Sequence, residues 1–381
     1  MRRLLLPLVL AGCGPTPVTD LVRTLAVAPP PPISATPVAG ERRPADGNPV
    51  PEPPRLVAFV PAGSPTPDCS GHTLTLLEDG RALVVGQCQL NGVSNAALLF
   101  DPASNRWSAA QSPPHPRIEH SATRLQDGRL LIAGGVASDS PAESNPIPLH
   151  STEIFDPRSG AWTPGTALLT GRAQHTATLL WDGTVFIAGG QINCRHQPPI
   201  PTDRSEVVAS DGLATEPATS LVEARLGHTA TEFAGGILLA GGLGASGPAA
   251  SEVVQARCQP PYALETPPLL GHVAARLPDG VLLLGADVAG RLSDLAWAPL
   301  ALPAQPRFTA IVVMLRRSVV LLVGGSPYSE VHETGLYDPA LDSWTAGPSI
   351  GGYYVRGAGV ELSDGRVLLV GLGAEISTGA L

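Results

Sequence analysis

The chain contains no lysine, so all 24 of its basic residues are arginine. This absence excludes a Schiff-base lysine and the lysine of a phosphate-binding P-loop. Basic residues are also outnumbered by 33 acidic ones, and the resulting net charge of −9 makes a polyanion such as nucleic acid a poor partner. The absence of lysine and the excess of acidic residues therefore disfavour P-loop nucleotide chemistry and nucleic-acid binding.

Aromatic residues make up only 4% of the sequence, and no apolar run approaches the roughly 20 residues that a membrane-spanning helix needs. Glycine and proline are abundant instead, with 42 and 41 residues in a chain of 381. This composition is typical of short strands joined by many tight turns.

The first residues, MRRLLLPLVLAGC, combine two arginines, a short apolar run and small residues before Cys13. The pattern predicts an export signal over residues 1–12 and resembles the lipobox of bacterial lipoproteins. The resemblance implies that Cys13 is lipidated; the alternative is an ordinary signal peptide with an incidental cysteine. Because Gly14 rather than Asp follows, we expect an exported chain in the bacterial cell envelope, at the outer membrane or cell surface.

The segment that follows, residues 13–53, is rich in proline and small residues and has almost no aromatics. Such a stretch buries too little apolar surface to offset its ordering entropy. We therefore predict a lipidated, disordered tether that holds a folded domain, residues 54–381, away from the membrane.

From about residue 55 onwards, one phrase recurs at intervals of roughly 37 to 55 residues, a period typical of propellers and solenoids. Two weak copies begin at Phe308 and Gly357. Five copies place a histidine at the second position: GHTLTLLEDGRALVVGQ from Gly71, EHSATRLQDGRLLIAGG from Glu119, QHTATLLWDGTVFIAGG from Gln174, GHTATEFAGGILLAGG from Gly227 and GHVAARLPDGVLLLGA from Gly271. Each unit is too small to hold a core alone, so the units must pack on one another.

Each copy predicts a four-stranded antiparallel meander. An alternating segment leads to Asp-Gly, which marks a tight hairpin, and the apolar run after it is typical of a strand covered on both faces. The run ends in Gly-Gly, and a variable loop follows. A third strand then reaches an Asp-Pro turn with a tryptophan after it, as in Phe155 to Trp162.

Gly-Gly followed by an aromatic and a tryptophan resembles the kelch repeat of β-propellers. The residues are Gly134, Gly135, Phe155 and Trp162 in one copy and Gly324, Gly325, Tyr337 and Trp344 in another. The resemblance implies an all-β propeller of four-stranded blades. We predict seven blades, the last completed by an N-terminal strand at residues 55–60, while six or eight remain open because the fifth copy is short.

The cysteines fit an oxidising, exported compartment. Cys69 and Cys88 flank the first hairpin in a register that places them nearly opposite, so we predict a disulfide between them. Cys194 and Cys258 then pair by elimination, although the repeat places them at opposite ends of a blade.

A repeated Arg-x-x-His raises the question of a site. It occurs as Arg117/His120, Arg172/His175 and Arg225/His228, and Arg307 keeps the arginine alone. A catalytic site needs one differentiated set of groups, so repetition favours framework, with each histidine bonding a neighbouring blade's backbone. The alternative is that the arginines gather at the channel mouth and bind an anionic group or an acidic peptide. The variable loops add further candidate ligand-binding residues: His150, Arg195, His196, Arg204 and Tyr328.

Two function classes follow. The first is a membrane-anchored, extracytoplasmic propeller that binds a protein or a glycan as a scaffold and uses no catalytic residue, metal or cofactor. The second is an enzyme, because kelch-type propellers include copper-radical oxidases of the galactose oxidase type. The sequence favours the first, since it places no cysteine beside an inner tyrosine and two inner histidines.

Overall fold

Short apolar strands that alternate with glycine- and aspartate-containing turns give an all-β fold. The computed structural model describes residues 56, 58–63, 66–137, 147–193, 200–255, 259–285, 287–301, 310–325, 333–351 and 353–377. They belong to one unit, Pro54–Leu381. The predicted signal peptide, the lipidation site Cys13 and the tether lie outside the described residues.

The first three blades follow a short initial strand, β1 (Phe59–Pro61). Blade 1 contains β2 (Asp68–Leu76), β3 (Ala82–Leu90), β4 (Val93–Asp101) and β5 (Arg106–Ala109). After β6 (Arg117–Ile118), blade 2 contains β7 (Ser121–Arg124), β8 (Leu130–Ala133), β10 (Thr152–Asp156) and β11 (Ala161–Pro164), with β9 (Val136–Ala137) in its loop. Blade 3 contains β12 (Thr176–Leu179), β13 (Val185–Ala188), β16 (Ser205–Val208) and β17 (Thr215–Pro217), with β14 (Gln191–Asn193) and β15 (Ile200–Pro201) in its loop.

The remaining strands repeat the same order. Blade 4 contains β18 (Thr229–Phe233), β19 (Gly236–Ala240), β20 (Ser251–Gln255) and β21 (Gln259–Leu264). Blade 5 contains β22 (Val273–Leu277), β23 (Gly280–Leu284), β24 (Ala289–Ser293) and β25 (Ala296–Pro299). Blade 6 contains β26 (Ile311–Met314), a 3₁₀ helix (Arg316–Ser318), β27 (Val320–Val323), β28 (Thr334–Asp338) and β29 (Ser343–Ala346), and β30 (Tyr353–Glu361) and β31 (Val367–Ser377) follow it.

The described residues thus form six complete four-stranded antiparallel blades, as the repeat predicts. The first strand of each blade, its inner strand, contacts the inner strands of its neighbours, and β30 lies between those of blades 6 and 1. No helix in the described part of the chain is long and apolar enough to cross a membrane.

Ring closure involves the N-terminal strand. β1 pairs with β31, with Phe59 opposite Ser377. β31 also pairs with β2, with Leu372 opposite Asp68, so β1, β31 and β30 join blade 1 in one sheet. The strand was predicted at residues 55–60, and the strand in the described residues is Phe59–Pro61. In the turn between β30 and β31, Arg366 Nη2 donates a hydrogen bond of 2.7 Å to Pro102 O in blade 1. The count of seven blades stays a prediction.

The hydrophobic core lies between blades, because each second strand is covered on both faces. In β8, Leu130 and Ile132 pack against blade 1, whereas Leu131 and Ala133 pack against blade 3. This packing explains why the run is continuously apolar and why one repeat cannot fold alone.

The aromatic pair that defines the repeat ties the outer strand to the rest of its blade. Phe155 and Trp162 are direct cross-strand neighbours with ring centroids 4.9 Å apart. The Trp162 indole donates a hydrogen bond of 2.8 Å to Gln111 O in the connection from blade 1. Equivalent ring pairs occur in blades 1 and 6: Phe100 with Trp107 and Tyr337 with Trp344.

The disulfide of the first hairpin is present: Cys69 lies directly opposite Cys88 in the β2–β3 pairing, and the two are joined. Both cysteines are buried. Cys194 and Cys258 lie outside the described residues, so their predicted pairing stays a prediction.

The Gly-Gly pairs are required both by their backbone conformation and by lack of space. Gly190 has φ +95°, and a Cβ added there would lie 2.6 Å from Ala173 O and 2.9 Å from His175 Cβ. Gly160, in the turn between β10 and β11 of blade 2, has φ +70° but no heavy atom within 4 Å of an added Cβ. A side chain would therefore be strained at both positions, but it would clash with neighbouring atoms only at Gly190.

We expect Gly190→Ala to destabilise the protein by about 2–4 kcal/mol, because it adds overpacking to the left-handed strain. Gly160→Ala carries the strain alone and should cost about 1 kcal/mol. Urea-induced unfolding measures both variants. Equal losses at the two positions would contradict a steric role for Gly190.

Candidate functional site at the channel mouth

The arginines of the Arg-x-x-His phrases are among the largest fully buried side chains of the described residues. Arg172 shows the pattern. Its Nη1 donates to Gly189 O at 2.7 Å and to Arg204 O at 2.8 Å, and its Nη2 donates to Glu206 Oε1 at 2.6 Å. The guanidinium thereby clamps the ends of β13 and β16, the second and third strands of blade 3.

A carboxylate that the sequence analysis missed completes each clamp. Arg117 and Arg225 pair with Glu153 and Glu252 at 3.2 and 2.5 Å, as Arg172 pairs with Glu206. Each glutamate follows a serine or threonine at the start of a third strand, and that repeated dipeptide was the available signal. Loops of unequal length separate it from the Arg-x-x-His phrase, which is why the phrase alone did not reveal it.

The histidines also join neighbouring blades, and their closest hydrogen bonds are to side-chain hydroxyls. His175 Nε2 forms a hydrogen bond of 2.9 Å with Ser121 Oγ, and His228 Nε2 forms one of 2.8 Å with Thr176 Oγ1. His120 and His272 form the same contact with Thr73 and Thr229. Each of these four histidines therefore bonds a side-chain hydroxyl of the preceding blade, and the Ala240 backbone of blade 4 also interacts with His272. The hydroxyl residue immediately follows the preceding blade's own histidine.

His72 is the exception in this series. Ala358 stands at the corresponding place in β30 and offers no hydroxyl. Among the described residues, neither buried ring nitrogen of His72 has a hydrogen-bond partner of good geometry. Burial lowers the pKa of His72 to about 4, and the nearby Val370 backbone counteracts part of this effect.

The arginine series does not present an anion site, because Arg117 and Arg225 are 0% exposed and Arg172 is 1% exposed. Their paired glutamates neutralise them, and their donors are directed at the ends of strands in the same blade. The structure therefore supports the framework interpretation of these three arginines over the anion-binding alternative.

The residue before each histidine lines the channel mouth in a left-handed conformation. Glu119 and Gln174 have φ values of 55° and 52°, and Gly71, Gly227 and Gly271 occupy the same place with 55°, 61° and 55°. This conformation turns the peptide groups along the ring: Glu119 N donates to Gly71 O, Gln174 N to Glu119 O and Gly227 N to Gln174 O, at 3.0 to 3.1 Å. A chain of backbone hydrogen bonds thus joins four consecutive blades.

A cavity of about 410 Å³ opens at this mouth. Glu119 and Gln174 contribute polar side chains, and Gln174 Nε2 donates to Glu119 Oε2 at 3.0 Å. Leu226, Leu243 and Leu270 supply an aliphatic wall from blades 4 and 5. A concave site with an apolar wall and a few placed polar groups is typical of ligand-binding pockets.

The other predicted ligand-binding residues fall into two groups. His150 is exposed but supports the connection to blade 3: its Nδ1 donates to Leu168 O at 3.0 Å and its Nε2 accepts from Gly171 N at 3.2 Å. Arg204 is exposed and lies directly before β16 of blade 3. Arg195, His196, Arg307 and Tyr328 lie outside the described residues.

Comparison with known proteins agrees with the fold. No family model matches the chain. Adagio-like protein 1 of Oryza sativa subsp. japonica is 26% identical over 311 residues, which cover 75% of this chain and 43% of that protein. Kelch-like protein 15 of Danio rerio is 25% identical over 135 residues, which cover 32% of this chain and 22% of that protein. The chain thus spans less than half the length of the curated relatives that it matches.

Among solved structures, a fungal alcohol oxidase in complex with copper superposes with a TM-score of 0.63 at 15% identity. The superposition covers 84% of this chain and 75% of that chain. At this identity the likeness concerns the fold alone, so the copper of that protein carries no role over to this chain.

The described histidines at this chain's channel do not form a copper centre. Four of the five channel histidines use Nε2 to bond hydroxyl groups, and Tyr337 is buried against Trp344. Within the described ranges, no group of three or more His, Cys, Asp or Glu side chains is placed to hold a metal ion. The blade topology shows an all-β propeller fold, and the chain is similar in sequence to kelch-repeat proteins.

Proposed function

We propose that the chain is a binding module rather than an enzyme and that it recognises a protein partner with the end of the propeller that carries the channel mouth. The observation that supports this most directly is that most of the repeated polar residues form contacts within the fold. The arginines, glutamates and histidines bond one another or neighbouring strands. A cavity with one polar and one aliphatic wall stays open at the channel mouth.

The framework also holds exposed apolar side chains at the ends of the third strands of blades 3 and 4. The second carboxylate oxygen of Glu206 accepts a hydrogen bond of 2.7 Å from Leu169 N, and that of Glu252 accepts one of 2.7 Å from Val222 N. Leu169 and Val222 are 53% and 55% exposed. Exposed aliphatic side chains on a rigid framework are suited to contact another protein.

We place this module outside the cytoplasm, lipid-anchored in the cell envelope through Cys13, with a protein as partner; a glycan is the less favoured ligand. The proposal for the anchor rests on the sequence pattern before Cys13. Palmitate incorporation that is lost in Cys13→Ala supports the anchor, and incorporation that persists in that variant overturns it.

Partner capture by the full-length chain tests the binding role. Gly227→Gln inserts a side chain into the mouth at a position where only Gln174 Oε1 lies near an added Cβ, at 3.9 Å. Blade 3 already carries glutamine there in the same backbone conformation, so we expect the variant to fold. Gly160→Gln makes the matched change, also at positive φ in open space, at the opposite end of blade 2.

We expect the wild-type chain and Gly160→Gln to recover the same envelope partner after cross-linking, and Gly227→Gln to recover at most about one tenth as much. Equal recovery by all three would place the binding surface elsewhere. A purified chain that carries one copper ion per molecule would contradict the non-enzymatic part of the proposal.

A further inference from the structure

The polar side chains of the channel-mouth cavity are already bonded within the protein. Gln174 Nε2 donates to Glu119 Oε2, and the backbone N–H of Gln174 donates to Glu119 O at 3.1 Å. Glu119 is the single formally charged residue among the described residues that line the cavity, and its carboxylate is thus engaged. A ligand that needed this carboxylate would have to compete with the Gln174 amide.

The histidines that line the cavity are also engaged or buried. His120, His175 and His272 each use Nε2 to bond a hydroxyl group of the preceding blade, and both ring nitrogens of His72 are buried. Burial lowers the pKa of all four below the ordinary value of 6.5, so they are neutral at physiological pH. The described part of the lining therefore offers little to a charged or strongly polar ligand.

The aliphatic wall stands on a backbone that is held in place. Leu226 N donates to Leu243 O at 3.0 Å, and Leu243 N donates to Leu226 O at 2.9 Å. The Leu243 side chain is nonetheless 37% exposed, and Leu270 from the next blade is 41% exposed. The cavity thus presents apolar side chains to the solvent from fixed positions.

The short fifth repeat accounts for the exposure of Leu270. In blades 2 to 4, the residue two places before the histidine pairs with the residue after Gly-Gly: Ile118 with Val136, Ala173 with Gln191 and Leu226 with Leu243. In blade 3, residues 189–204 form the loop that supplies Gln191, and Ala173 is fully buried. In blade 5, residues 285–288 form a tight turn in place of that loop, and Leu270 occupies the position of Ala173.

These features select an uncharged ligand. An anion would face the Glu119 carboxylate, and a cation would have to compete with the Gln174 amide for it. A sugar ring carries hydroxyls around its edge, and leucines offer them no partners. An aliphatic group gains by covering Leu243 and Leu270 and leaves the existing hydrogen bonds intact. The volume of about 410 Å³ is within the range of ligand pockets.

We propose that the channel mouth takes an uncharged aliphatic side chain of the partner protein, of the size of leucine, packed against Leu243 and Leu270. Two partly exposed leucines are a small wall for a free apolar molecule. One side chain of a larger interface, by contrast, draws the rest of its affinity from neighbouring contacts. This inference rests on the proposed function and names the anchor that the same site recognises.

The test uses saturation-transfer NMR on the full-length chain with N-acetylleucinamide, against N-acetylasparaginamide, a polar amide of nearly the same shape. We expect saturable binding of the leucine probe that is at least about fivefold tighter than that of the asparagine probe, because only leucine gains by covering the aliphatic wall. N-acetylargininamide, which carries a charge, should also bind at least about fivefold more weakly than the leucine probe. Equal or tighter binding of either of these two probes overturns the inference.

Leu270→Ser removes part of the wall. Blade 1 carries serine at the equivalent place, Ser70, so we expect the variant to fold. Binding of N-acetylleucinamide should fall by at least about fivefold. Leu213→Ser makes the same change at a 64% exposed leucine in the turn between β16 and β17, outside the cavity lining, and should leave binding unchanged. Unchanged binding in Leu270→Ser, or an equal loss in Leu213→Ser, overturns the inference.

The unfolding temperature of Leu270→Ser gives a readout that needs no ligand. Because both leucines are exposed, Leu270→Ser and Leu213→Ser should unfold at nearly the same temperature. A markedly lower unfolding temperature for Leu270→Ser would show that Leu270 serves the fold and would overturn the inference.

A peptide identifies the source of the aliphatic group. An acetylated Gly-Leu-Gly amide should bind at least about threefold tighter than isoamyl alcohol, a free molecule with the same branched end, because the peptide adds contacts around the mouth. Equal or tighter binding of the alcohol would assign the mouth to a free small molecule and overturn the inference.

The variant Gly227→Gln separates this inference from the proposed function. If Gly227→Gln loses partner capture but none of the leucine probes binds the wild-type chain, the proposed function stands and this inference fails. If the leucine probes bind but Gly227→Gln recovers the partner in full, the proposed function fails.

Discussion

Glu206→Ala should cost about 3–5 kcal/mol of unfolding free energy, because it leaves a buried guanidinium without its counter-charge. Glu206 and Arg172 are each 1% exposed, so water cannot replace the lost carboxylate. The variant also removes the acceptor of the Leu169 backbone N–H. Chemical denaturation monitored by fluorescence measures the loss.

Two variants give this prediction its controls. Glu216→Ala removes a carboxylate from the exposed neighbouring strand β17 and should change stability by less than about 0.5 kcal/mol. The double variant Arg172→Met/Glu206→Leu removes the pair together and should recover at least half of the loss, because no uncompensated charge remains buried. A Glu206→Ala variant as stable as Glu216→Ala would show that the clamp does not hold the blade.

Unfolding free energy should fall as the pH is lowered from about 7 to about 5. Burial, together with neighbouring charges, lowers the pKa of His120 and His228 to about 3, and burial lowers that of His72 and His272 to about 4. In the unfolded chain these groups titrate near 6.5, so between 6.5 and the folded-state values the unfolded state binds more protons. The histidine contribution is thus fully present above pH 6.5 and is lost progressively below it, by up to about 2 kcal/mol per histidine at pH 5.

Removing one histidine tests whether the histidines cause this pH dependence of the unfolding free energy. His272→Gln keeps a hydrogen-bonding group beside Thr229 but removes one titrating site, so it should reduce the slope by about 1.4 kcal/mol per pH unit. Glu252 acts in the opposite direction, because burial raises its pKa. An unfolding free energy that is flat between pH 7 and 5 would contradict neutral, buried histidines.

Much of the fold could be predicted from the sequence because the repeat expresses local rules. Asp-Gly placed the hairpins, the continuous apolar runs placed the second strands, and the offset from Phe155 to Trp162 placed the outer edge. The closing strand was also predicted, but the pattern from Leu56 to Val60 does not reveal which residues meet β31.

The site was harder to predict because it depends on contacts between distant segments. The clamp of Arg172 joins residues across a loop of variable length, so its glutamate is not seen in a repeat aligned on the histidines. The left-handed backbone at Glu119 was hidden by its side chain. Only the aligned glycines, Gly71, Gly227 and Gly271, carried that signal.

Partner capture by the double variant Arg117→Met/Glu153→Leu tests the central claim most directly, namely that the repeated arginines form the framework and the channel mouth forms the site. This variant removes the clamp of blade 2 and leaves the contacts of Glu206 with Leu169 and of Glu252 with Val222 in place. The account predicts that the folded variant recovers as much partner as the wild-type chain. A folded variant that has lost partner capture would place the buried arginine in the site and contradict the account.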